Sequence, residues 1–251
     1  MRLTVLGGSG AFPLPDVGCS GYLVEEAGFR LLIDPGYGTA GELMRLLPAT
    51  ELDAVYVTHR HPDHCADLNP LLRARAMADE PAAPPLPVYA PPDALDVVLA
   101  LDRPGMLDEA YELHEFGIGD SWSLGPMRVE TSELPHYVPN AAVRLTGSAG
   151  SVVYTGDGGP SAALVELAGG ADLLLAESTH VDEPPEGLDG FLCDAATAGR
   201  QAAEADVGEL MLTHLWPSDD PETAMRRAAQ SYDGPIRVAR PGVVAEVGGS
   251  A

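Results

Sequence analysis

Between Thr58 and His64 the chain reads Thr58-His59-Arg60-His61-Pro62-Asp63-His64, which places three imidazoles and a carboxylate within six positions. Histidine nitrogens and carboxylate oxygens are the ligands of zinc and of its first-row neighbours. The run Val55-Tyr56-Val57 ahead of them predicts a buried strand. If the extended chain continues past it, His59 and His61 project to one side, two residues apart. Pro62 suits the first turn of a helix, which lifts Asp63 and His64 into the same space from a second direction. Four ligand-capable groups therefore converge through local geometry alone.

Further candidates sit at the ends of apolar runs, where sites are commonly built. His136 follows Val129–Leu134 and a proline, Asp157 follows Val152-Val153-Tyr154-Thr155-Gly156, and His214 follows Leu210-Met211-Leu212-Thr213. With the first cluster they amount to five imidazoles and two carboxylates. That is enough for two tetrahedral or five-coordinate metal ions with one bridging group. Of the seven histidines, the remaining two are read differently: His114 is structural, and His180, which follows Leu174–Thr179 near the expected cleft, contacts substrate. The loop Gly7-Gly8-Ser9-Gly10 has neither the lysine nor the GxGxxG spacing of a phosphate cradle. It reads as a tight turn bordering the cleft, whose N–H groups can still meet an anion.

The elements that must position these groups follow from period and punctuation. Strands are expected at Arg2–Leu6, Tyr22–Glu25, Phe29–Asp34 and Val88–Ala90. A meander follows through Tyr111–Glu115, Asp120–Leu124, Met127–Leu134, Ala141–Leu145 and Ser151–Thr155. Helices are expected at Ala40–Leu47, Asp67–Ala78 and Asp93–Leu101. The later part alternates helix (Ser161–Leu167), strand (Leu173–Ala176), helix (Ala195–Ala205), strand (Leu210–Thr213) and helix (Pro221–Ser231). It closes with strands at Ile236–Ala239 and Val243–Val247. Strands run through both halves, which favours two stacked mixed sheets with helices outside, a four-layer αββα sandwich, over one doubly wound sheet. Residues 1–251 are expected to form one domain, with Asp79–Pro87 as a surface loop.

With these residues assembled, the chain resembles the metallo-β-lactamase superfamily. Asp34 at a strand end, then His59-x-His61-x-Asp63-His64, His136, Asp157 and His214 match its motifs in order over nearly the whole chain. The resemblance implies that His59, His61 and His136 hold one metal ion and that Asp63, His64 and His214 hold the other, with Asp157 bridging. It further implies that Asp34 orients a ligand imidazole or the local backbone. Histidine and carboxylate donors suit Zn²⁺ best, with Mn²⁺ or Fe²⁺ as alternatives. A water shared by two such ions becomes an available hydroxide near neutral pH, and Asp63 can accept a proton from it.

Within the superfamily the chain is similar to the ribonuclease Z branch, including small bacterial cyclic-nucleotide phosphodiesterases, through Tyr154-Thr155-Gly156-Asp157, Ala176-Glu177-Ser178 and Leu210–His214. Members that process transfer RNA carry a long glycine- and proline-rich arm between the third and fourth motifs, whereas only about twenty residues separate His136 from Asp157 here. The branch also pairs the glutamate equivalent to Glu177 with a histidine about 22 residues before the last ligand, and Leu192 stands at that position. A customary threonine after the bridging aspartate is replaced by Gly158. The expected activity is hydrolysis of a small phosphodiester such as a cyclic nucleotide. Hydrolysis of a carboxylic ester, lactone or thioester needs less leaving-group protonation and so tolerates Leu192. The third reading is a catalytically weak nucleotide-binding protein.

Composition narrows the partners. In 251 residues, 14 basic side chains face 38 acidic ones for a net charge of −24, which repels a long polyanion at range. A small anionic substrate remains compatible, because bound cations reverse the field within their own cleft. The three cysteines, Cys19, Cys65 and Cys193, are too few and scattered for a disulfide framework. No run is long and apolar enough to span a bilayer, and the opening residues form a strand pattern instead of a signal peptide. A cytoplasmic protein is expected, and the family resemblance adds a homodimer.

Overall fold

The computed structural model describes residues 1–78, 83–188 and 190–248. The first sheet takes β1 (Arg2–Gly7), β2 (Gly21–Glu26), β3 (Phe29–Ile33), β4 (Ala54–Tyr56), β5 (Leu86–Ala90) and β6 (Tyr111–Glu115). The second takes β7 (Ser121–Leu124), β8 (Met127–Leu134), β9 (Asn140–Thr146), β10 (Ser151–Tyr154), β11 (Leu173–Glu177), β12 (Leu210–Thr213) and β13 (Ile236–Val238). The last strand, β14 (Val244–Glu246), returns to pair antiparallel with β1, so each sheet has seven strands in mixed orientation.

Strand alternation builds the layers. Leu31 and Ile33 of β3, Val152 and Tyr154 of β10, and Met211 of β12 share one apolar cluster between the sheets. Their neighbours Leu32, Val153 and Leu212 point the other way into two outer clusters. One outer cluster is covered by α1 (Thr39–Leu46) and α3 (Leu68–Ala76), which follows the one-turn α2 (Pro62–Cys65). After the short α4 (Asp96–Leu99), the helices α5 (Ala162–Ala168), α6 (Ala195–Glu204) and α7 (Pro221–Ala228) cover the other. Burial on both faces is why the central strands read as continuous apolar runs. The four-layer αββα architecture expected from the order of elements is the one observed.

Most element ends fall within one or two residues of expectation, and three departures have a physical reason or consequence. The helix expected over Asp93–Leu101 is a single turn, because Pro91 and Pro92 precede it and Asp93 takes a left-handed φ of 62°, which ends helical geometry there. Pro221–Ser231 stops being helical at Ala228. Leu86 and Pro87, expected in a loop, belong to β5. Pro87 is tolerated because β4 pairs with β5 only at Val88 and Tyr89, beyond the missing N–H. Residues 79–82 of that expected loop lie outside the described residues. His114 lies on β6, its ring stacked 4.8 Å from that of Tyr89, in keeping with a structural part.

Candidate metal centre

Four chain segments deliver the site, each from beyond the end of a strand. After β4 the backbone stays extended: Val57 N–H bonds Tyr89 O, and Thr58 N–H donates to Asp34 Oδ1 at 2.7 Å. His59 and His61 follow. His61 then caps α2 with extended backbone, Pro62 supplies the first helical φ, and one turn presents Asp63 and His64. The Asp157 turn is held by Asn140, whose side chain donates to Thr155 O and accepts from Asp157 N–H. Gly156 is needed there: its φ is 58°, and a Cβ would lie 2.3 Å from Asn140 Oδ1. His214, just past β12, also holds a left-handed φ of 58°, as Asp34 does at 48°. Side chains other than glycine pay for that conformation, and such strain concentrates at functional sites.

These segments bring seven side chains into two groups of four that share Asp157. His59, His61, His136 and Asp157 form one group, and Asp63, His64, Asp157 and His214 form the other. Within each, one donor atom per residue lies within 4.8 Å of the rest, so each group can hold a metal ion. His59, His64, Asp157 and His214 are buried, whereas His61 and His136 are half-buried. The centre therefore reaches solvent past the first group.

The hydrogen bonds around the rings decide which nitrogen of each faces inward. Thr58 Oγ1 donates to Asp34 Oδ2 at 2.7 Å, so it can only accept from His59 Nδ1, 2.9 Å away. Thr179 Oγ1 donates to Glu177 Oε1 at 2.8 Å and accepts in the same way from His214 Nδ1 at 2.9 Å. His64 Nδ1 donates directly to Asp34 Oδ2 at 2.7 Å, and His136 Nδ1 donates to Phe191 O at 3.0 Å. All four rings thus keep a proton on the outer Nδ1 and turn Nε2 toward the centre, the arrangement that partners beyond the ligands commonly impose on metal-binding histidines. His61 turns Nδ1 inward instead, 3.0 Å from His59 Nε2 and 3.1 Å from His136 Nε2. Asp34, expected to orient either an imidazole or the backbone, does both, and Tyr154 OH donates to it as a third partner at 2.9 Å.

The donor set fits a cation on two counts. The Nε2 lone pairs of His59 and His136 meet at His61 Nδ1, which can offer at most one proton to them. In the second group, His64 Nε2 and Asp157 Oδ1 are buried without a hydrogen-bond partner among the described residues, although only 3.2 Å apart. Buried polar atoms without partners are costly, and a bound ion satisfies them together. Electrostatics agree. Burial, assisted by neighbouring imidazoles, pushes His59, His61 and His136 below the usual histidine range, which leaves them neutral. Burial acts on His64 in the same direction but is outweighed by Asp157, Asp63 and Asp34, which raise it well above that range. Burial likewise raises Asp157, yet His214 and His64 pull it well below the carboxylate range. Positive charge is what this second group calls for, supplied by protons or by metal.

Other expected residues are placed less centrally. Glu177 is buried, and burial together with the Asp157 charge lifts its carboxyl to about 8. Its Oε2 accepts from Cys193 N–H at 2.7 Å, one residue beyond Leu192, where the branch would offer an imidazole. His180 follows Thr179, and its buried Nε2 has no partner among the described residues. In the glycine-rich loop, the Gly8 and Ser9 N–H groups bond Gly18 O, and Gly10 N–H bonds Leu215 O. The residue after the loop, Ala11, donates its N–H to Asp63 Oδ2 at 3.0 Å. Sequence alone does not point to the parts played by Thr58, Thr179, Tyr154 and the Phe191 carbonyl. Thr58 and Thr179 each adjoin a histidine, but nothing in their spacing shows that a hydroxyl would bridge a carboxylate to a ring.

Comparison with known proteins places this geometry in a family. Residues 29–215 match the model of the β-lactamase superfamily domain. The chain is 30% identical to the probable metallo-hydrolase YhfI of Bacillus subtilis, over 98% of this chain and all of that protein. The crystal structure of YhfI superposes with a TM-score of 0.88 over 98% of this chain and 99% of that one. A ribonuclease Z of Mycobacterium bovis is 29% identical, with 95% of each chain covered. The short form of human tRNase Z, at 21% identity, shares the fold with a TM-score of 0.78 over 98% of this chain and 99% of that one. The chain belongs to the β-lactamase superfamily, beside its ribonuclease Z-like members, and is a metal-dependent hydrolase.

Proposed function

We propose that the centre holds two divalent ions, zinc by preference and manganese or iron as alternatives, and hydrolyses a small phosphodiester such as a cyclic nucleotide. The observation that carries this reading is the sharing of Asp157 between two four-donor groups. His59, His61 and His136 would hold one ion, and Asp63, His64 and His214 the other, with Asp157 common to both groups. When bound, two such ions acidify water and offset charge that develops on a phosphoryl oxygen. Asp63 is the catalytic carboxylate in this reading: burial raises it, but His64 and His214 keep it well below the usual range, so it stands ionised, able to ligate and to accept a hydrogen bond from the attacking water. Asp34 and Glu177 orient His64, His59 and His214. His180 contacts substrate in this reading.

Similarity to a protein named ribonuclease Z favours a phosphodiester over an acyl substrate. The short His136–Asp157 connection and the acidic charge favour a short substrate over a polymer. The Glu177–Cys193 contact supports a second reading. Without an imidazole on Glu177, esters, lactones or thioesters, which need little leaving-group protonation, are the alternative. Metal analysis of the purified protein, with assays on cyclic nucleotides, bis(p-nitrophenyl) phosphate and acyl esters, separates the two. About two equivalents of metal with phosphodiester turnover are expected. Rapid acyl-ester turnover with none on phosphodiesters would overturn the first reading.

A further inference from the structure

The fourteen aromatic side chains of this protein are distributed unevenly. Nine are buried or half-buried, while Phe12, Tyr37, Tyr137, Phe191 and Trp216 are exposed by 38 to 50%. All five lie on segments that carry the metal centre or touch its residues. Phe12 follows Ala11, whose N–H holds Asp63. Trp216 is two residues past His214, and its loop is tied to that of Phe12 by the Gly10 N–H to Leu215 O bond. Tyr137 follows His136, with its ring 5.1 Å from that imidazole, and the Phe191 carbonyl holds the same imidazole from behind. Tyr37 follows Gly36, which packs so closely on Asp63 that a Cβ would lie 1.9 Å from its carbonyl oxygen.

Four of these rings form two pairs. Phe12 and Trp216 meet edge to face at 5.9 Å, beside the group that contains Asp63 and His214. Tyr137 and Phe191 stack at 5.0 Å, beside the group that contains His136. Exposed aromatic surface is unfavourable in water, and a set confined to one functional opening marks a binding surface. A small phosphodiester centred on Asp157 carries two ester arms, and one pair of rings stands on the flank of each metal group. Trp216 also borders an apolar cavity of about 120 Å³ with Leu14, Val17, Leu215 and Val238.

We infer that the Phe12–Trp216 and Tyr137–Phe191 pairs bind a planar aromatic or heteroaromatic substituent of the substrate, such as a nucleobase, by stacking. This selects esters with a flat arm over equally reactive esters without one. The inference rests on the phosphodiester reading for the identity of the reacting group, and on the positions of the rings for the arm.

Two phosphodiesters with the same leaving group test it. Bis(p-nitrophenyl) phosphate and methyl p-nitrophenyl phosphate both release p-nitrophenolate and differ in whether the remaining arm is a ring or a methyl group. Stacking on an aromatic side chain is typically worth enough to change affinity about tenfold. In Trp216→Leu and Phe191→Leu, the ratio of kcat/KM for the diaryl over the methyl ester should fall about tenfold, mainly through KM. An unchanged ratio in both variants overturns the inference. A binding measurement stands apart from turnover: tryptophan fluorescence of the as-purified protein should be quenched by adenosine monophosphate but not by ribose 5-phosphate, and Trp216→Leu should abolish the quenching. If no phosphodiester is turned over, the functional reading fails while the fluorescence result still decides the aromatic site. Equal response to both phosphates, or conversion of a wild-type dimer to a monomer by Trp216→Leu, overturns it, the latter because the rings then cover a second copy of the chain.

Discussion

Thr58 and Thr179 play matching parts on opposite sides of the centre. Each hydroxyl donates to a buried carboxylate, Asp34 or Glu177, and so leaves its lone pair for the outer nitrogen of His59 or His214. Because the tautomer is set through that hydroxyl, Thr179→Val should weaken metal binding at the second group by about 10–100-fold. Thr179→Ser should restore most of it, as read by chelator competition. Glu177 gives a second prediction. Its folded pKa of about 8 lies above the ordinary 4.5, so in metal-free protein the unfolded chain releases this proton first as pH rises. Stability linked to Glu177 is then full below pH 4.5 and declines from there to about pH 8, by on the order of 4 kcal/mol over that range. Glu177→Gln should flatten this decline in denaturant midpoints measured across pH. The same change should weaken metal binding: with the amide oxygen accepting from Cys193 N–H, the amide nitrogen donates to Thr179, whose hydroxyl then donates to His214 Nδ1 and leaves a proton on Nε2.

Among the elements, α2 is the least self-sufficient. One turn cannot stabilise itself, yet it must present Asp63 and His64. It is held where it joins α3 by Asp67, whose N–H bonds Pro35 O and whose carboxylate accepts from Ala40 N–H in the first turn of α1. Helix α1 has no side-chain cap of its own, since Gly38 occupies that position with a left-handed φ, so Asp67 caps one helix and tethers another. Asp67→Ala should cost about 1–2 kcal/mol, the usual loss for a cap, and lower the thermal midpoint by several degrees. If the melting temperature does not move, the tether is not what holds α2. Metal affinity should fall too, since Asp63 and His64 lose part of their support.

Across the whole molecule, the excess of 38 acidic over 14 basic side chains sets a repulsive field outside the cleft. Added salt screens such a field. An oligoribonucleotide should therefore be cleaved at least about tenfold less efficiently than a dinucleotide at low ionic strength, and the gap should narrow as salt rises. A preference for the longer substrate at low salt would contradict this view of the charge.

Much of this protein is legible in its sequence, because the informative signals are local. Short apolar runs bounded by turn residues predict strands whatever lies across the sheet. The string from His59 to His64 converges within one strand end and one helical turn, and His136, Asp157 and His214 each follow an apolar run that leads to the same place. Tertiary structure alone decided what depends on contacts between distant segments. The shared position of Asp157, the inward choice of each ring nitrogen, the satisfaction of the glycine-rich loop by Gly18 and Leu215, and the gathering of exposed rings around the opening are of this kind. The physical reason is one of range: a side chain's type and phase belong to its own stretch of backbone, whereas the partner of a hydrogen bond or a ring is set by how segments distant in the chain come to lie against each other.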